Sequence, residues 1–202
     1  MNFAVEPQRM ALINVDMQNC FVHNSPIAAP DGLALLARIN QLAAVCRAAG
    51  IPVIHTSHVL RPDGSNMGLL AEIEPVKAGI INQGAPSAAL HGDLVVDPRD
   101  ILLEKPRFGA FYGTDLDMIL RTRGIDTVII TGIATNVCCE TTAREAMVRD
   151  FRVFFLSDGT TTFGMGDVSG AALQKATLAT LGLVFAHIIS LDEMVERIQR
   201  AA

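Results

Sequence analysis

"DTVIITGIATNVCCETTAREAMVRD" occupies Asp126–Asp150. Its first eight residues form an apolar run of strand length. From Thr135 to Arg149 the apolar residues recur at helical spacing, which predicts a helix. A strand fed directly into a helix is a βα unit, and a strand apolar on both faces belongs inside a covered sheet.

Working outward, the same alternation recurs. "MALINVD" (Met10–Asp16) reads as a first strand ending in an acid. Asp31–Gly50 reads as a helix with Gly50 as its stop, and "IPVIHTSH" as a second strand. "DILLEK" (Asp100–Lys105) reads as a third strand, ended by Pro106. Thr114–Arg123 reads as a helix capped by Thr114. "RVFFLSD" and "VFAHIIS" give the fifth and sixth strands, with helices expected over Asp167–Leu181 and Leu191–Arg200. The expected architecture is one three-layer α/β/α domain spanning residues 1–202. The long non-periodic stretch from His58 to Pro98 is expected to act as a functional or lid-like loop.

Composition narrows the function. Half of the 202 residues are apolar, and the net charge is −5 with no Lys/Arg cluster. That argues against a nucleic-acid or membrane-surface footprint. No apolar run approaches the ~20 residues of a membrane span. The four cysteines, Cys20, Cys46, Cys138 and Cys139, are too few for a disulfide framework and show no C-x-x-C zinc pattern. A cytoplasmic protein with reduced thiols is expected.

In open α/β sheets, ligands bind beyond the carboxyl ends of the strands. Asp16 ends the first strand, Lys105 ends the third, and Cys138 follows the fourth. An acid, a cation and a thiol thus converge on one sheet edge. Along the helix, Cys139, Ala143, Ala146 and Met147 form the core-facing stripe. Cys138 lies about 100° away, on the side of Thr142 and Glu145. With Thr135 as N-cap, Cys138 falls in the first turn, where the helix dipole favours a thiolate. A carboxylate in reach would take the thiol proton and return it to a leaving amine. A nearby ammonium would hold that carboxylate and help to keep the sulfur as thiolate. His55 and His58 point to opposite strand faces, which disfavours a metal pair. His55 is assigned to the core or sheet edge and His58 to the pocket rim.

Three segments, "ALINVDMQN", "KPRFGAFYGTDLDMIL" and "TGIATNVCCETTAREA", resemble the signatures of the isochorismatase-like cysteine hydrolases. The resemblance implies a Rossmann-like α/β/α fold with a six-stranded parallel sheet. It also implies a catalytic triad of Asp16, Lys105 and Cys138, and a non-proline cis peptide at Ile133–Ala134. The amides of Ala134 and Cys138 would form the oxyanion hole. True isochorismatases lack the cysteine. Nicotinamidases carry an Asp-x-His…His metal site after the second strand, whereas "HTSHVLRPDGSN" has no acid two residues before a histidine, so neither metal nor cofactor is expected. The nearest flavour is that of ureidoacrylate and N-carbamoyl amidohydrolases, although Phe108 stands where relatives often have Tyr. The expected function is hydrolysis of a small linear amide or ureido compound through a thioester. Phe21, Phe108, His58, Arg61 and Asn66 are the candidate substrate contacts, with Arg61 suited to a substrate carboxylate. The family commonly assembles as dimers or tetramers. The alternatives are a nicotinamidase-like or other small-amide hydrolase, a thiol redox switch using Cys138 and Cys139, and an inactive binding module.

Overall fold

The computed structural model describes residues 3–201. Its strands are β1 (Met10–Val15), β2 (Val53–His58), β3 (Ile101–Lys105), β4 (Thr127–Ile133), β5 (Arg152–Thr161) and β6 (His187–Ile189). Its helices are α1 (Asn19–Val22), α2 (Gly32–Ala48), α3 (Glu74–Lys77), α4 (Leu116–Thr122), α5 (Glu140–Met147), α6 (Gly170–Val184) and α7 (Leu191–Ala201). The strands form one sheet in the order β3-β2-β1-β4-β5-β6, and every pairing is parallel. This order reverses direction between β1 and β4, and a crevice opens there at the carboxyl edge.

The period-2 geometry of a strand divides its side chains between two layers. Ala11, Ile13 and Val15 pack with Leu116, Leu120, Ala143 and Leu181 from α4, α5 and α6. Met10 and Leu12 pack with Leu42, Cys46, Met194 and Ile198 from α2 and α7. Both faces are therefore covered, which explains the unbroken apolar strands.

Several local expectations shift. The turn after β4 is a single wide π-type turn over Thr135–Cys139, and α5 begins only at Glu140. Thr135 is not an N-cap: Ala134 holds that position, and the buried Thr135 hydroxyl has no partner. The Ala134 carbonyl instead accepts from the amides of Val137 and Cys139, each at 3.1 Å. Helix α6 starts at Gly170, where the Ser169 side chain accepts from the Ala172 amide. The 58–98 stretch contains short helical turns at Gly68–Glu72, Glu74–Lys77 and Pro86–Ala88.

One glycine governs how closely the central strands meet. Gly132 has φ +120°, and a Cβ there would lie 2.1 Å from the Val15 carbonyl oxygen. Only glycine both adopts that backbone and fits the gap.

Candidate active site

Asp16 follows the last residue of β1 and adopts φ +53°. Aspartate tolerates this left-handed conformation better than most residues. Its amide donates to the Thr56 carbonyl, and the Thr56 hydroxyl donates to Oδ1 at 2.6 Å. Thr56 on β2 thereby fixes the carboxylate plane.

Lys105 ends β3, two strands away from Asp16. That is roughly 10 Å across the sheet, a gap that a long side chain can span. Its Nζ lies 2.7 Å from Asp16 Oδ2, and neither side chain is exposed to solvent. Nζ also donates to the carbonyls of Arg107 and Phe108, at 3.0 and 2.9 Å. The ammonium thus has three acceptor oxygens for its three protons. Burial alone pushes the Lys105 pKa down, but Asp16 and the nearby thiols prevail and hold it above its ordinary value. Beyond this ion pair, Oδ2 has no further N–H or O–H donor.

Cys138 completes the cluster. Donor atoms of Asp16, His58 and Cys138 all lie within 4.8 Å of one another. These are donor types of a small metal centre, but the Lys105 ammonium already supplies positive charge against Asp16. Burial pushes the Cys138 thiol up to about 12. Lys105 opposes this shift, whereas the Asp16 charge and its hydrogen bond to the thiol reinforce it. Burial thus works against the thiolate expected from a first-turn position. Burial and the Asp16 carboxylate together favour a thiol that can donate to that carboxylate. The Ala134 backbone also contributes a hydrogen bond that favours the thiolate, and the Ile133–Ala134 peptide bond is cis. Cys139, fully buried, has its sulfur 3.8 Å from the Thr131 carbonyl and packs in the core.

His58 sits deeper than a pocket rim. It is buried, and its ring meets Phe108 edge-on at 5.6 Å between centroids. Burial, then the Lys105 charge, pushes its pKa down to about 4, so the ring is neutral near pH 7. It hydrogen-bonds the Pro106 backbone, and a proline backbone can only accept. One ring nitrogen therefore carries the proton and the other a lone pair. With the proton on the nitrogen that meets Pro106, Nε2, which has no partner, carries the lone pair.

Phe21, His58 and Phe108 line a cavity of about 350 Å³ with Cys138 and Ala134 at its base. Arg61 and Asn66 do not join them. They line a separate polar depression beside Glu104 and Pro106. The loop there closes on itself: Asn66 Oδ1 accepts from the Arg61 amide at 2.8 Å, and the Asn66 carbonyl accepts from Arg107.

Other residues support the site without having been singled out from the sequence. Gln18 accepts from the His58 amide and donates to the carbonyls of His58 and Ala88, tying β2 to the long loop. The Thr142 hydroxyl accepts from the Ala110 amide, and Glu145 Oε2 accepts from the Phe111 amide. These two residues anchor the segment after Lys105 to α5. The only available signal was that both lie on the Cys138 side of the helix.

Comparison with known proteins identifies the family. Residues 10–193 match the isochorismatase domain family. Nicotinamidase 3 of Arabidopsis thaliana is 35% identical over 187 residues, covering 91% of this chain and 86% of that protein. A ureidoacrylate amidohydrolase RutB of Methylorubrum extorquens is 33% identical over 205 residues, covering 92% of this chain and 81% of that protein. A cysteine hydrolase from Pseudomonas syringae pv. phaseolicola 1448A superposes with a TM-score of 0.93 at 32% identity, covering 100% of this chain and 97% of that one. The chain belongs to the isochorismatase family. Its relatives include enzymes named for amide hydrolysis.

Proposed function

We propose that this protein is a cysteine amidohydrolase that cleaves the C–N bond of a small amide or ureido compound. One observation carries the reading: a buried Asp16–Lys105 ion pair adjoins the Cys138 thiol at the base of an apolar cavity. Cys138 attacks the carbonyl carbon, and its proton passes to Asp16 as the C–S bond forms. The thiol's pKa of about 12 makes this coupling necessary, because little free thiolate exists near neutrality. The Ala134 and Cys138 amides receive the developing oxyanion. Asp16 hands the proton to the departing nitrogen, and Lys105 holds the carboxylate in place throughout. Water then hydrolyses the thioester, with Asp16 as base.

Neither a metal nor another cofactor takes part in these steps. The chain works as a single domain. Assembly into a homo-oligomer is supported by exposed apolar side chains such as Leu69 and Leu183, 88% and 78% accessible. Light scattering of the purified chain tests it. A cytoplasmic location fits four free thiols and the absence, among the described residues, of any helix long and apolar enough to cross a membrane.

The activity is tested by following ammonia release over a panel of amides and ureido acids, with Cys138→Ala as control. Turnover is expected with wild type and a loss of at least about 1,000-fold in the variant. Equal rates would exclude a thioester route.

A further inference from the structure

The cavity above Cys138 has walls of one chemical kind. Beyond the reacting cluster it is lined by Phe21, Ile73, Val76, Ile80, Phe163 and Met165, among other apolar side chains. The long loop contributes the 73–80 wall, in which Val76 and Ile81 pack against Cys20 and Leu60. At about 350 Å³ the space lies toward the small end of the ~300–1,000 Å³ typical of small-molecule sites.

Among the described residues, no lysine or arginine lines this cavity. Lys105 is committed to Asp16 and two carbonyls. Arg107 donates to the carbonyls of Asn66 and Pro106, and Arg61 opens onto the separate polar depression. A carboxylate placed in this cavity would lose its hydration without gaining a partner, a costly exchange.

Two acceptor atoms at the base are the reverse case. His58 Nε2 is buried with no hydrogen-bond partner, and Asp16 Oδ2, 2.7 Å from Lys105 Nζ, has no further N–H or O–H donor. Their residues flank the Cys138 sulfur. A primary carboxamide carries two N–H groups on one nitrogen, which match two such acceptors.

Building on the amidohydrolase reading, we infer that the substrate is an uncharged primary carboxamide whose substituent is a hydrocarbon, not a ureido acid or other carboxylated amide. The nitrogen lies toward Asp16 and His58, the carbonyl oxygen toward the Ala134 and Cys138 amides, and the hydrocarbon against the 73–80 wall. The carboxamide C–N bond breaks as the tetrahedral adduct collapses to the thioester. The thiol proton leaves with ammonia through Asp16, and water converts the thioester to a carboxylic acid and regenerated thiol. The acid ionises into water, because the cavity offers its anion no partner, and this drives product release.

The test is ammonia release by the wild-type protein from hexanamide, isobutyramide, benzamide, nicotinamide, succinamate and N-carbamoyl-β-alanine. Hexanamide or benzamide is expected to exceed succinamate and N-carbamoyl-β-alanine by at least about 100-fold in kcat/KM. Benzamide is expected to exceed nicotinamide, whose ring nitrogen finds no donor in the cavity. Ile80→Arg, which adds a cation to the wall, is expected to shift the ratio toward succinamate by about tenfold or more. If N-carbamoyl-β-alanine or succinamate is the better substrate for wild type, the hydrocarbon assignment is overturned and the amidohydrolase reading stands. If none of the six compounds releases ammonia, both are overturned.

Discussion

Two carboxylates with buried side chains, Asp16 and Asp100, sit at opposite edges of the sheet, and each is paired with a cation. Asp100, just before β3, is saturated. Its oxygens accept from Arg47 Nε and Nη2, His55 Nε2 and the Asp97 amide at 2.6–3.0 Å. His55 continues the network to Asn14, and Asn14 accepts from Thr131 on β4. Asp16 has one oxygen held by Thr56 and the other held by Lys105 alone, beside a thiol. Filled valences hold strands in place. An unfilled one, kept dry, is poised to take a proton. The same residue type serves as a rivet at one edge and, in the proposed mechanism, as a base at the other, and counting partners distinguishes them where sequence does not.

That distinction breaks if both carboxylates behave alike on neutralisation. Asp16→Asn is expected to lower turnover by about 1,000-fold, measured as ammonia release per folded molecule. Nearly as large is the expected effect of pH on Cys138. Its alkylation by iodoacetamide should be slow near neutrality and rise about tenfold per pH unit until the thiol titrates, because its folded pKa is about 12. Rapid labelling at pH 7 would mean a resting thiolate. Asp100→Asn leaves Arg47 without its counter-charge and should cost about 3 kcal/mol of unfolding free energy, with turnover per folded molecule unchanged. Urea denaturation alongside the activity assay separates the two carboxylates.

Smaller effects sharpen the comparison. His58 is held neutral, its folded pKa lowered from 6.5 to about 4. Its contribution to stability is therefore fully present above pH 6.5 and lost as pH falls toward 4, by at most about 3 kcal/mol. His58→Asn should flatten part of that acid limb. His55, also lowered by burial, should leave a residual slope in the variant. Cys139→Ala should cost about 1 kcal/mol and leave turnover intact, in contrast to its neighbour Cys138.

The parts legible in the sequence were those that depend on pattern. Apolar strands alternating with helices announce a doubly covered parallel sheet, and the rule that ligands sit at the carboxyl edge brings Asp16, Lys105 and Cys138 together. Helical spacing also separated Cys139 from Cys138. The parts not legible depend on tertiary closure. Thr135 has the chemistry of an N-cap, but the Ala134 carbonyl takes two amides and opens the turn. Arg61 and Asn66 lie in the right loop, but its path is set by Gln18 and by its own turn, and it carries them away from the cavity. The state of the Cys138 thiol follows from burial beneath that loop, which no local spacing records.

The close approach at Gly132 has a consequence for engineering. Position 132 touches no reacting atom, yet it sets how near β4 can lie to the end of β1, and through that the gauge between acid and thiol. A mutational library built to alter substrate preference should find residues 73–81 permissive and position 132 intolerant of every side chain, alanine included. The most restrictive position in such a library would be one with no chemistry of its own, where the missing methyl group is the functional part.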